Sequence, residues 1–383
     1  MAQAHIAAKR LYSQPYRSWI MALRAPFHLI YRKLLTRFYC SLQLSNDRVA
    51  KLPDKNRHAT LEMRRLVGRK SHAFSMATST QSVFKALEWQ PGPNDVIVIT
   101  APKSGTTWLQ HMLHLIKTGG DDVTFDDIYE VAPWIDFAWE LGQELNADQR
   151  GNIRIFKSHG VLSRVHEGCK YVCVIRDPLK MLKSLYTFFL AKAENMTEMT
   201  SRTKQMVADV NTFYQSPVWT AGMSFSGGDS FFKHFVEFYK CRQCPTVSLL
   251  IFEDIQADLR GTIEQMCDFM DVPRSTTLVE KVAERASLEW MTAHSTKFDD
   301  HMIYDRQVSL GRWGYGRMAP ASKVNLRLMS EEGKRKAEPS DETIQGLRAD
   351  WKRLVTPETG FETYEEMVDA LRKERAAGAF EGS

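Results

Sequence analysis

The feature of this sequence that most limits its fold is a series of short β-branched segments, each followed by a helical pattern. The first segment, Asp95 to Thr100, leads through a Pro/Lys/Ser/Gly turn into a helical pattern that begins near Thr106. Strands that alternate with helices predict a parallel α/β sheet flanked by helices, in which ligands bind at the carboxyl ends of the strands. The other candidate strands are residues 153–157, 171–175 and 246–252, and the other candidate helices are residues 179–193, 229–240, 256–270 and 278–292.

Composition and charge exclude several classes of protein. The chain has 383 residues, of which 43% are apolar and 25% charged, so it is neither fibrous, collagen-like nor wholly disordered. Its net charge of +5 originates in residues 1–46, which contain seven basic residues and no acidic one. When these seven are subtracted from the total of 51, the rest of the chain has 44 basic residues against 46 acidic ones. The basicity therefore belongs to the N-terminal segment and does not predict a nucleic acid partner.

The acid-free segment of residues 1–46 contains a basic amphipathic helical pattern after Pro26, and basic residues interrupt every candidate membrane span. Three interpretations stay open: a helix packed on the main domain, an organelle-targeting peptide, or a peripheral contact with anionic lipid. A polar linker is predicted for residues 47–81, and a single α/β domain for residues 82–383. A cytoplasmic location is the default expectation.

The six cysteines are too few for a disulfide framework in a chain of this length. Cys169 and Cys173, taken with Cys241 and Cys244, match the spacing of a zinc site. Cys173, however, lies inside the apolar run of residues 171–175, where a small buried thiol is expected. Structural cysteines are therefore the preferred interpretation, and no metal is predicted.

The strongest local signal is the turn from Thr100 to Trp108, between a predicted strand and a predicted helix. Gly105 allows the backbone to turn close to a ligand, and the N-terminus of the following helix directs N–H groups at an anion. A lysine and three hydroxyl groups lie in the same few residues, at Lys103, Ser104, Thr106 and Thr107. This combination predicts a phosphate or sulfate site. It is not a Walker A loop, because the lysine precedes the glycine.

At these residues the sequence resembles the cytosolic-type sulfotransferases that use 3′-phosphoadenosine 5′-phosphosulfate (PAPS), whose 5′-phosphosulfate loop reads P-K-[ST]-G-T-T-W. The resemblance covers about residues 82–370 and implies a P-loop-like fold. A second motif of the family, an arginine eight residues before a serine, is similar to Arg176 and Ser184 and implies contacts with the 3′-phosphate. The resemblance assigns the loop residues Lys103, Ser104, Gly105, Thr106, Thr107 and Trp108 to the donor.

A third segment, Arg154 to His159, is similar to the family strand that ends in Lys-[ST]-His. The resemblance implies that His159 is the general base, which an imidazole can be near neutral pH. It also implies that Lys103 stabilises the leaving phosphate and that Lys157 holds the sulfuryl oxygens. Phe252-Glu253-Asp254 resembles a family segment that we interpret mainly as support for the fold.

The sequence departs from the family pattern in two places. The late basic loop that closes the nucleotide site is replaced by residues 325–336, so Arg327, or Lys334 with Arg335, are the candidates for its charge. Ala286-Ser287-Leu288 stands where Thr-Ser-Phe commonly contacts the adenine. The C-terminal residues 347–364 resemble microbial and algal relatives more than animal ones.

The expected function is sulfuryl transfer from PAPS to a hydroxyl group, or less favourably an amine, of a small molecule. A catalytically silent PAP-binding or membrane-peripheral scaffold and a P-loop-type nucleotide phosphotransferase are the alternatives. Aromatic residues predict either an apolar acceptor pocket or ordinary core. The motifs specify neither the acceptor nor an oligomeric state. The aromatic residues concerned are Trp134, Trp139, Phe188, Phe189, Phe231 and Phe232.

Overall fold

A computed structural model describes the fold for residue 82, residues 85 and 86, and residues 88–194, 201–220, 230–309 and 331–378. Residues 1–46, the linker of residues 47–81 and Arg327 lie outside the described residues, so what the sequence predicts for them stays a prediction. Within the described residues, no helix combines the length and the apolar character that crossing a bilayer requires.

Four parallel strands of the described residues form one sheet with the spatial order β2-β1-β3-β4. β1 lies between β2 and β3, and the register places Val98 opposite Lys157 on one side and opposite Val172 on the other. The parallel α/β sheet and its four strands are confirmed, with bounds that differ from the prediction by up to two residues. The strands are β1 (Val96–Thr100), β2 (Ile155–Ser158), β3 (Lys170–Ile175) and β4 (Val247–Ile251).

Helices connect and cover the strands. Numbered in chain order among the described residues, the first seven are α1 (Thr106–Lys117), α2 (Ile128–Val131), α3 (Pro178–Glu194), α4 (Ser201–Met206), α5 (Val210–Tyr214), α6 (Pro217–Thr220) and α7 (Phe232–Cys241). They are followed by α8 (Phe252–Ala257), α9 (Leu259–Phe269), α10 (Thr276–Arg285), α11 (Leu288–Ala293) and α12 (His301–Ser309). The last four are α13 (Glu331–Lys336), α14 (Asp341–Leu354), α15 (Thr356–Thr359) and α16 (Tyr364–Ala376). Short 3₁₀ turns lie at Ile135–Phe137, Leu162–Arg164 and Ser295–Phe298.

The apolar residues of each strand alternate between two hydrophobic cores. In β1, Ile97 and Ile99 pack against α3, α7 and the C-terminal helices α14 and α16, whereas Val96 and Val98 pack against α1, α9 and α10. All five residues of β1 are buried. A strand covered on both faces reads as a continuous apolar run, which is why its period-two alternation is not visible in the sequence.

Two predicted helices are each divided by a capping residue. The predicted helix of residues 256–270 is interrupted at Asp258, whose side chain accepts a hydrogen bond from the Gly261 amide and caps α9. The predicted helix of residues 278–292 is interrupted at Ser287, which caps α11 through the Trp290 amide. Asp and Ser favour such caps because their short side chains satisfy amides that have no partner in the first turn. The single-helix predictions were wrong at these two positions.

The cysteines occupy different environments. Cys173 lies in β3 and Cys169 directly before it, and both are buried in the core that includes Ile97 and Phe156, whereas Cys241 is partly buried and Cys244 is exposed. Burial raises the pKa of the Cys173 thiol well above its usual value. A neutral buried thiol is a packing group and a poor metal ligand.

Candidate active site

The loop between β1 and α1 has the backbone of an anion site. Lys103 has φ +69° and Gly105 has φ +95°, so two residues of the turn lie in the left-handed region. A Cβ built on Gly105 would lie 2.8 Å from a ring carbon of Phe252, so only glycine fits there. Among the residues that the structure describes, no side chain caps the N-terminus of α1, and its first turn contains no acidic residue. The positive end of the helix dipole is therefore directed into the loop.

The hydroxyl groups of this loop face in different directions. Thr106 Oγ1 lies 2.5 Å from Thr100 Oγ1, and the Ser104 hydroxyl donates to Met181 Sδ at 3.5 Å. Ser104 and Thr106 are buried, whereas Thr107 is partly exposed. Lys103 is also partly exposed, and its Nζ lies 4.7 Å from the ring centroid of Phe188. Lys103 and Thr107 are thus the loop side chains best placed to reach a ligand.

Arg176 joins this loop to the end of β3. Its Nη1 donates to the carbonyl oxygen of Lys103 at 2.5 Å, and its guanidinium lies 4.2 Å from the ring centroid of Phe252. Its Nε is buried and has no hydrogen-bond partner among the described residues. Burial lowers the pKa of Arg176, and the nearby Glu253 carboxylate opposes that shift. An arginine stacked on an aromatic ring with a donor still unused is suited to a phosphate.

Ser184 lies on α3, which begins directly after the Arg176-Asp177 turn. Pro178 occupies the first position of this helix, and the Asp177 carboxylate accepts the Leu179 amide at 2.8 Å. Ser184 is buried, with 7% of its surface exposed. The neighbouring Lys183 pairs with Glu338 at 2.9 Å.

Residues 252–254, which we interpret from the sequence mainly as support for the fold, pack against Arg176 and the turn that follows it. The Glu253 carboxylate accepts the Tyr364 hydroxyl at 2.7 Å and the Asp177 amide at 3.3 Å. Asp254 pairs with Arg372 and Arg375 of α16. Together with Phe252 under the guanidinium, these contacts connect the C-terminal helix to the arginine turn. Residues 252–254 therefore support the candidate site as well as the fold.

His159 follows the last residue of β2, next to the end of β1. Its Nδ1 lies 2.9 Å from the carbonyl oxygen of Thr100. A carbonyl oxygen only accepts, so Nδ1 carries the proton and Nε2 presents a lone pair. Only 6% of the residue is exposed, and burial, with the positive charge of Lys157 next, lowers its pKa well below the usual 6.5. A neutral imidazole with a fixed tautomer is suited to general base catalysis.

A carboxylate that sequence analysis missed holds this strand end. Asp136 Oδ2 accepts the His159 amide at 2.7 Å and the Trp134 indole N–H at 2.8 Å, and the Ser158 hydroxyl donates to Oδ1 at 3.0 Å. Burial raises the pKa of the Asp136 carboxyl, while these donors oppose the rise. Asp136 lies in a 3₁₀ turn, and only its position in an apolar aromatic stretch could have marked it.

Lys157 is the residue of β2 that lies under the same aromatic stretch. It is 4% exposed, and its Nζ lies 3.5 Å from the ring centroid of Trp134. The Lys157 ammonium also donates to the Tyr129 hydroxyl at 3.0 Å. The structure thus brings Lys157 and His159 together around Trp134, whose ring meets that of His159 edge-on at 5.3 Å.

The two departures from the family pattern have different surroundings. The Trp108 indole donates to the carbonyl oxygen of Ala286 at 2.7 Å, so residues 286–288 lie beside the first turn of α1. Leu288 is 49% exposed there. Lys334 and Arg335 lie on the exposed surface of α13, where Lys334 pairs with Glu331 at 2.6 Å. Their assignment to the 3′-phosphate stays a prediction.

The candidate aromatic pocket is divided between core and site. Phe231 and Phe232 pack on Trp219 in the core, and Phe189 packs on Phe213. Trp134 and Phe188, by contrast, lie against the ammonium groups of Lys157 and Lys103.

Comparisons with known proteins indicate the family to which this chain is similar. The family model described as "Sulfotransferase domain" matches residues 93–310. The 3-alpha-hydroxysteroid sulfotransferase of Cavia porcellus is 32% identical over 197 residues, which are 49% of this chain and 63% of that protein. Sulfotransferase 2A6 of Rattus norvegicus is 28% identical over 204 residues, 51% of this chain and 66% of that protein. The matched stretches therefore span less than two thirds of these relatives.

Two solved structures share the fold at low sequence identity. Mouse sulfotransferase SULT7A1 complexed with PAP has a TM-score of 0.51 and 13% identity, covering 80% of this chain and 96% of that chain. Retinol dehydratase in complex with androsterone and the inactive cofactor PAP has a TM-score of 0.50 and 18% identity, covering 76% and 94%. Because the family model spans more than half of the sequence, the chain belongs to the sulfotransferase domain family.

Proposed function

We propose that this protein transfers a sulfuryl group from PAPS to a hydroxyl group of a small-molecule acceptor, with His159 as the general base. The observation that carries the proposal is the contact between His159 Nδ1 and the Thr100 carbonyl oxygen. Because Nδ1 carries the proton in this contact, the lone pair of the neutral imidazole is on Nε2. His159 lies at the strand end that adjoins the anion-binding loop. Family membership supports the same chemistry.

The candidate donor site fits the charge distribution of PAPS. The donor has a phosphosulfate at its 5′ end and a phosphate at its 3′ end, and the protein has cations at the ends of the neighbouring strands β1 and β3. Lys103 and the N-terminus of α1 would hold the 5′ end. Arg176, whose buried Nε has no partner among the described residues, would bind the 3′-phosphate, and Ser184 would add a hydroxyl. The bound donor supplies the electrophilic sulfur.

In the proposed reaction, His159 Nε2 takes the proton of the acceptor hydroxyl as its oxygen attacks sulfur. The new S–O bond forms while the bond between sulfur and the 5′-phosphate oxygen breaks, and its electron pair remains on the phosphate. Lys103 stabilises the charge that develops on this leaving oxygen, and Lys157 stabilises the sulfuryl oxygens. As in phosphoryl transfer, positioning and electrostatics supply most of the rate enhancement.

The proposed acceptor is an apolar molecule with one reactive hydroxyl. The name of one relative, the 3-alpha-hydroxysteroid sulfotransferase of Cavia porcellus, points to hydroxysteroids, and the indole of Trp134 next to His159 offers an apolar surface beside the base. Phenols and fatty alcohols have the same chemistry, and amines are the less favoured class.

The test is incubation of the full chain with radiolabelled PAPS and a panel of hydroxysteroids, phenols, primary alcohols and amines. Mass spectrometry identifies the sulfated product. We expect transfer to a hydroxyl acceptor and tight calorimetric binding of PAP. Tight PAP binding without turnover on any acceptor would reject catalysis in favour of a silent binding protein. Preferential binding of ATP with Mg²⁺ would reject the donor and support a phosphotransferase.

The domain boundaries form a separate part of the proposal. We assign sulfotransferase chemistry to residues 82–383 and leave residues 1–46 as an extension that directs or attaches the enzyme. The seven unopposed basic residues support an interaction with an anionic surface. The test is the cellular location of a fluorescent reporter fused to residues 1–46. It is compared with the location of the same fusion in which these seven basic residues are replaced by glutamine.

A further inference from the structure

A buried chain of three polar side chains lies behind the candidate sulfuryl site. Lys157 Nζ donates to the Tyr129 hydroxyl at 3.0 Å, and this hydroxyl donates to Asp300 Oδ1 at 2.7 Å. Tyr129 is fully buried, and 4% of Lys157 and 7% of Asp300 are exposed. The hydrogen bond between Tyr129 and Asp300 spans 171 positions of the sequence.

The chemistry of the three groups fixes the direction of each hydrogen bond. An ammonium has only donors and an ionised carboxylate has only acceptors, so the hydroxyl between them must accept from Lys157 and donate to Asp300. Hydrogen bonds that involve charged groups are also shorter and stronger than neutral ones. The Tyr129 hydroxyl therefore has one orientation, and it fixes the direction of one N–H bond of Lys157.

Further contacts keep Tyr129 and Asp300 in place. The Asp127 carboxylate caps α2, which contains Tyr129, and also accepts the Met302 amide of α12 at 3.2 Å. Asp300 lies directly before α12 with φ +63°, in the left-handed region that aspartate and asparagine adopt more readily than most residues with a Cβ. This backbone conformation places the Asp300 carboxylate against the Tyr129 hydroxyl in a buried site.

Two aromatic rings also lie next to the Lys157 ammonium. The Trp134 ring lies 3.5 Å from Lys157 Nζ by its centroid, and the Tyr129 ring stacks on Trp134 with centroids 5.5 Å apart. A cation on a ring face is attracted without a preferred direction for its N–H bonds. The Tyr129 hydroxyl thus supplies the direction that the aromatic contact lacks.

We propose that Tyr129 and Asp300 are positioning residues for Lys157, which orient its ammonium toward the sulfuryl oxygens during transfer. This inference rests on the proposed function. A lysine held by preorganised partners stabilises developing charge without a reorganisation step. Neither residue contacts the donor in this role, so both act through Lys157 alone.

The test compares Tyr129→Phe with the parent enzyme. Phenylalanine keeps the ring stack on Trp134 and removes only the hydroxyl. We expect kcat to fall about 10- to 100-fold, the usual value of a hydrogen bond to a charged group. PAP has no sulfuryl group, so its affinity should stay within about 2-fold of the parental value, the scatter expected for independent sites. The matched control is Tyr214→Phe, which removes a hydroxyl that donates to Asp350 at 2.9 Å, and it should retain parental kcat.

A second comparison separates positioning from a general loss of structure. In a Lys157→Ala background, Tyr129→Phe should change kcat by less than about 2-fold, because a residue that acts through Lys157 has no effect without it. Asp300→Asn keeps an oxygen acceptor and suits positive φ, so it removes only the charge and should lower kcat less than Tyr129→Phe.

The possible outcomes distinguish a failure of the positioning role from a failure of the proposed function. An active parent with parental kcat in Tyr129→Phe would overturn the positioning role and leave the proposed function intact. So would an equal loss with and without Lys157, or a loss of PAP affinity in Tyr129→Phe. A parent that binds PAP and transfers no sulfuryl group would overturn the proposed function, and the positioning role with it.

Discussion

His159 Nδ1 and the carbonyl oxygen of Thr100 lie 2.9 Å apart, across the ends of the adjacent strands β2 and β1. Thr100 is also the residue at which the candidate anion-binding loop begins, and its hydroxyl contacts Thr106 in the first turn of α1. The candidate base and the candidate donor loop therefore share one residue. A displacement of either strand end would move both groups together.

This relationship predicts that His159→Asn separates catalysis from donor binding. Asparagine still offers an N–H to the Thr100 carbonyl but presents no basic nitrogen to the acceptor. We expect kcat to fall about 10²- to 10⁴-fold, the usual contribution of a general base, while the calorimetric Kd for PAP stays close to the parental value. His294→Asn, which changes a partly buried histidine that contacts the Trp290 carbonyl, is the control. A His159→Asn enzyme that retains parental kcat would exclude His159 as the base.

The environment of His159 also predicts its titration. Burial and the nearby charge of Lys157 lower its pKa well below 6.5, so the imidazole stays neutral as the pH falls through the range where an exposed histidine becomes protonated. In the protein without donor, ¹⁵N chemical shifts should therefore show neutral His159 at pH 6. His159→Asn identifies the resonance. A midpoint at or above 6.5 would contradict the prediction.

Sequence patterns located the ends of the strands and the side chains there, because each motif is contiguous and lies beside a β-branched run. They did not find Asp136, Tyr129 or Asp300. Asp136 lies in a 3₁₀ turn with no periodic pattern, and Tyr129 and Asp300 meet only in the tertiary structure. Helix divisions at Asp258 and Ser287 escaped for a related reason, since a cap interrupts a helix without interrupting its apolar periodicity.

The left-handed turn at Gly105 leads to a third prediction. In Gly105→Ala the new Cβ would lie 2.8 Å from the Phe252 ring, at φ +95°. We expect the free energy of unfolding to fall by about 1 to 2 kcal/mol from the backbone alone, with a further loss from the clash and weakened PAP binding. Gly142→Ala, at φ +67° with no atom of the described residues within 4 Å of its Cβ, measures the backbone cost by itself. Urea unfolding and PAP calorimetry should therefore show a larger effect at Gly105, and equal effects would contradict the role of the close contact.

Arg176 leads to a prediction about donor recognition. Lysine in its place keeps a positive charge but loses the planar group that stacks on Phe252 and contacts the Lys103 carbonyl. Arg176→Lys should weaken PAP binding about 10- to 100-fold and should leave binding of 5′-AMP, which has no 3′-phosphate, nearly unchanged. Arg242→Lys, which alters an arginine stacked on Tyr239 and paired with Glu374, should change neither affinity. Equal losses for PAP and 5′-AMP would show that Arg176 does not bind the 3′-phosphate.

Asp136 belongs to none of the sequence motifs, but we expect it to be important for the position of the base, His159. Its carboxylate accepts hydrogen bonds from His159, Trp134 and Ser158, and an amide in its place would direct an NH₂ group at one or more of these donors. Loss of such a bond costs about 1 to 3 kcal/mol, so Asp136→Asn should lower the free energy of urea unfolding by that amount. Because the His159 amide would lose its anchor, kcat should fall while PAP affinity is retained. Asp350→Asn, at the carboxylate that accepts the Tyr214 hydroxyl, provides the matched control and should reduce stability without changing kcat. If both variants lost kcat equally, the loss would reflect general destabilisation, and Asp136 would have no specific role in orienting His159.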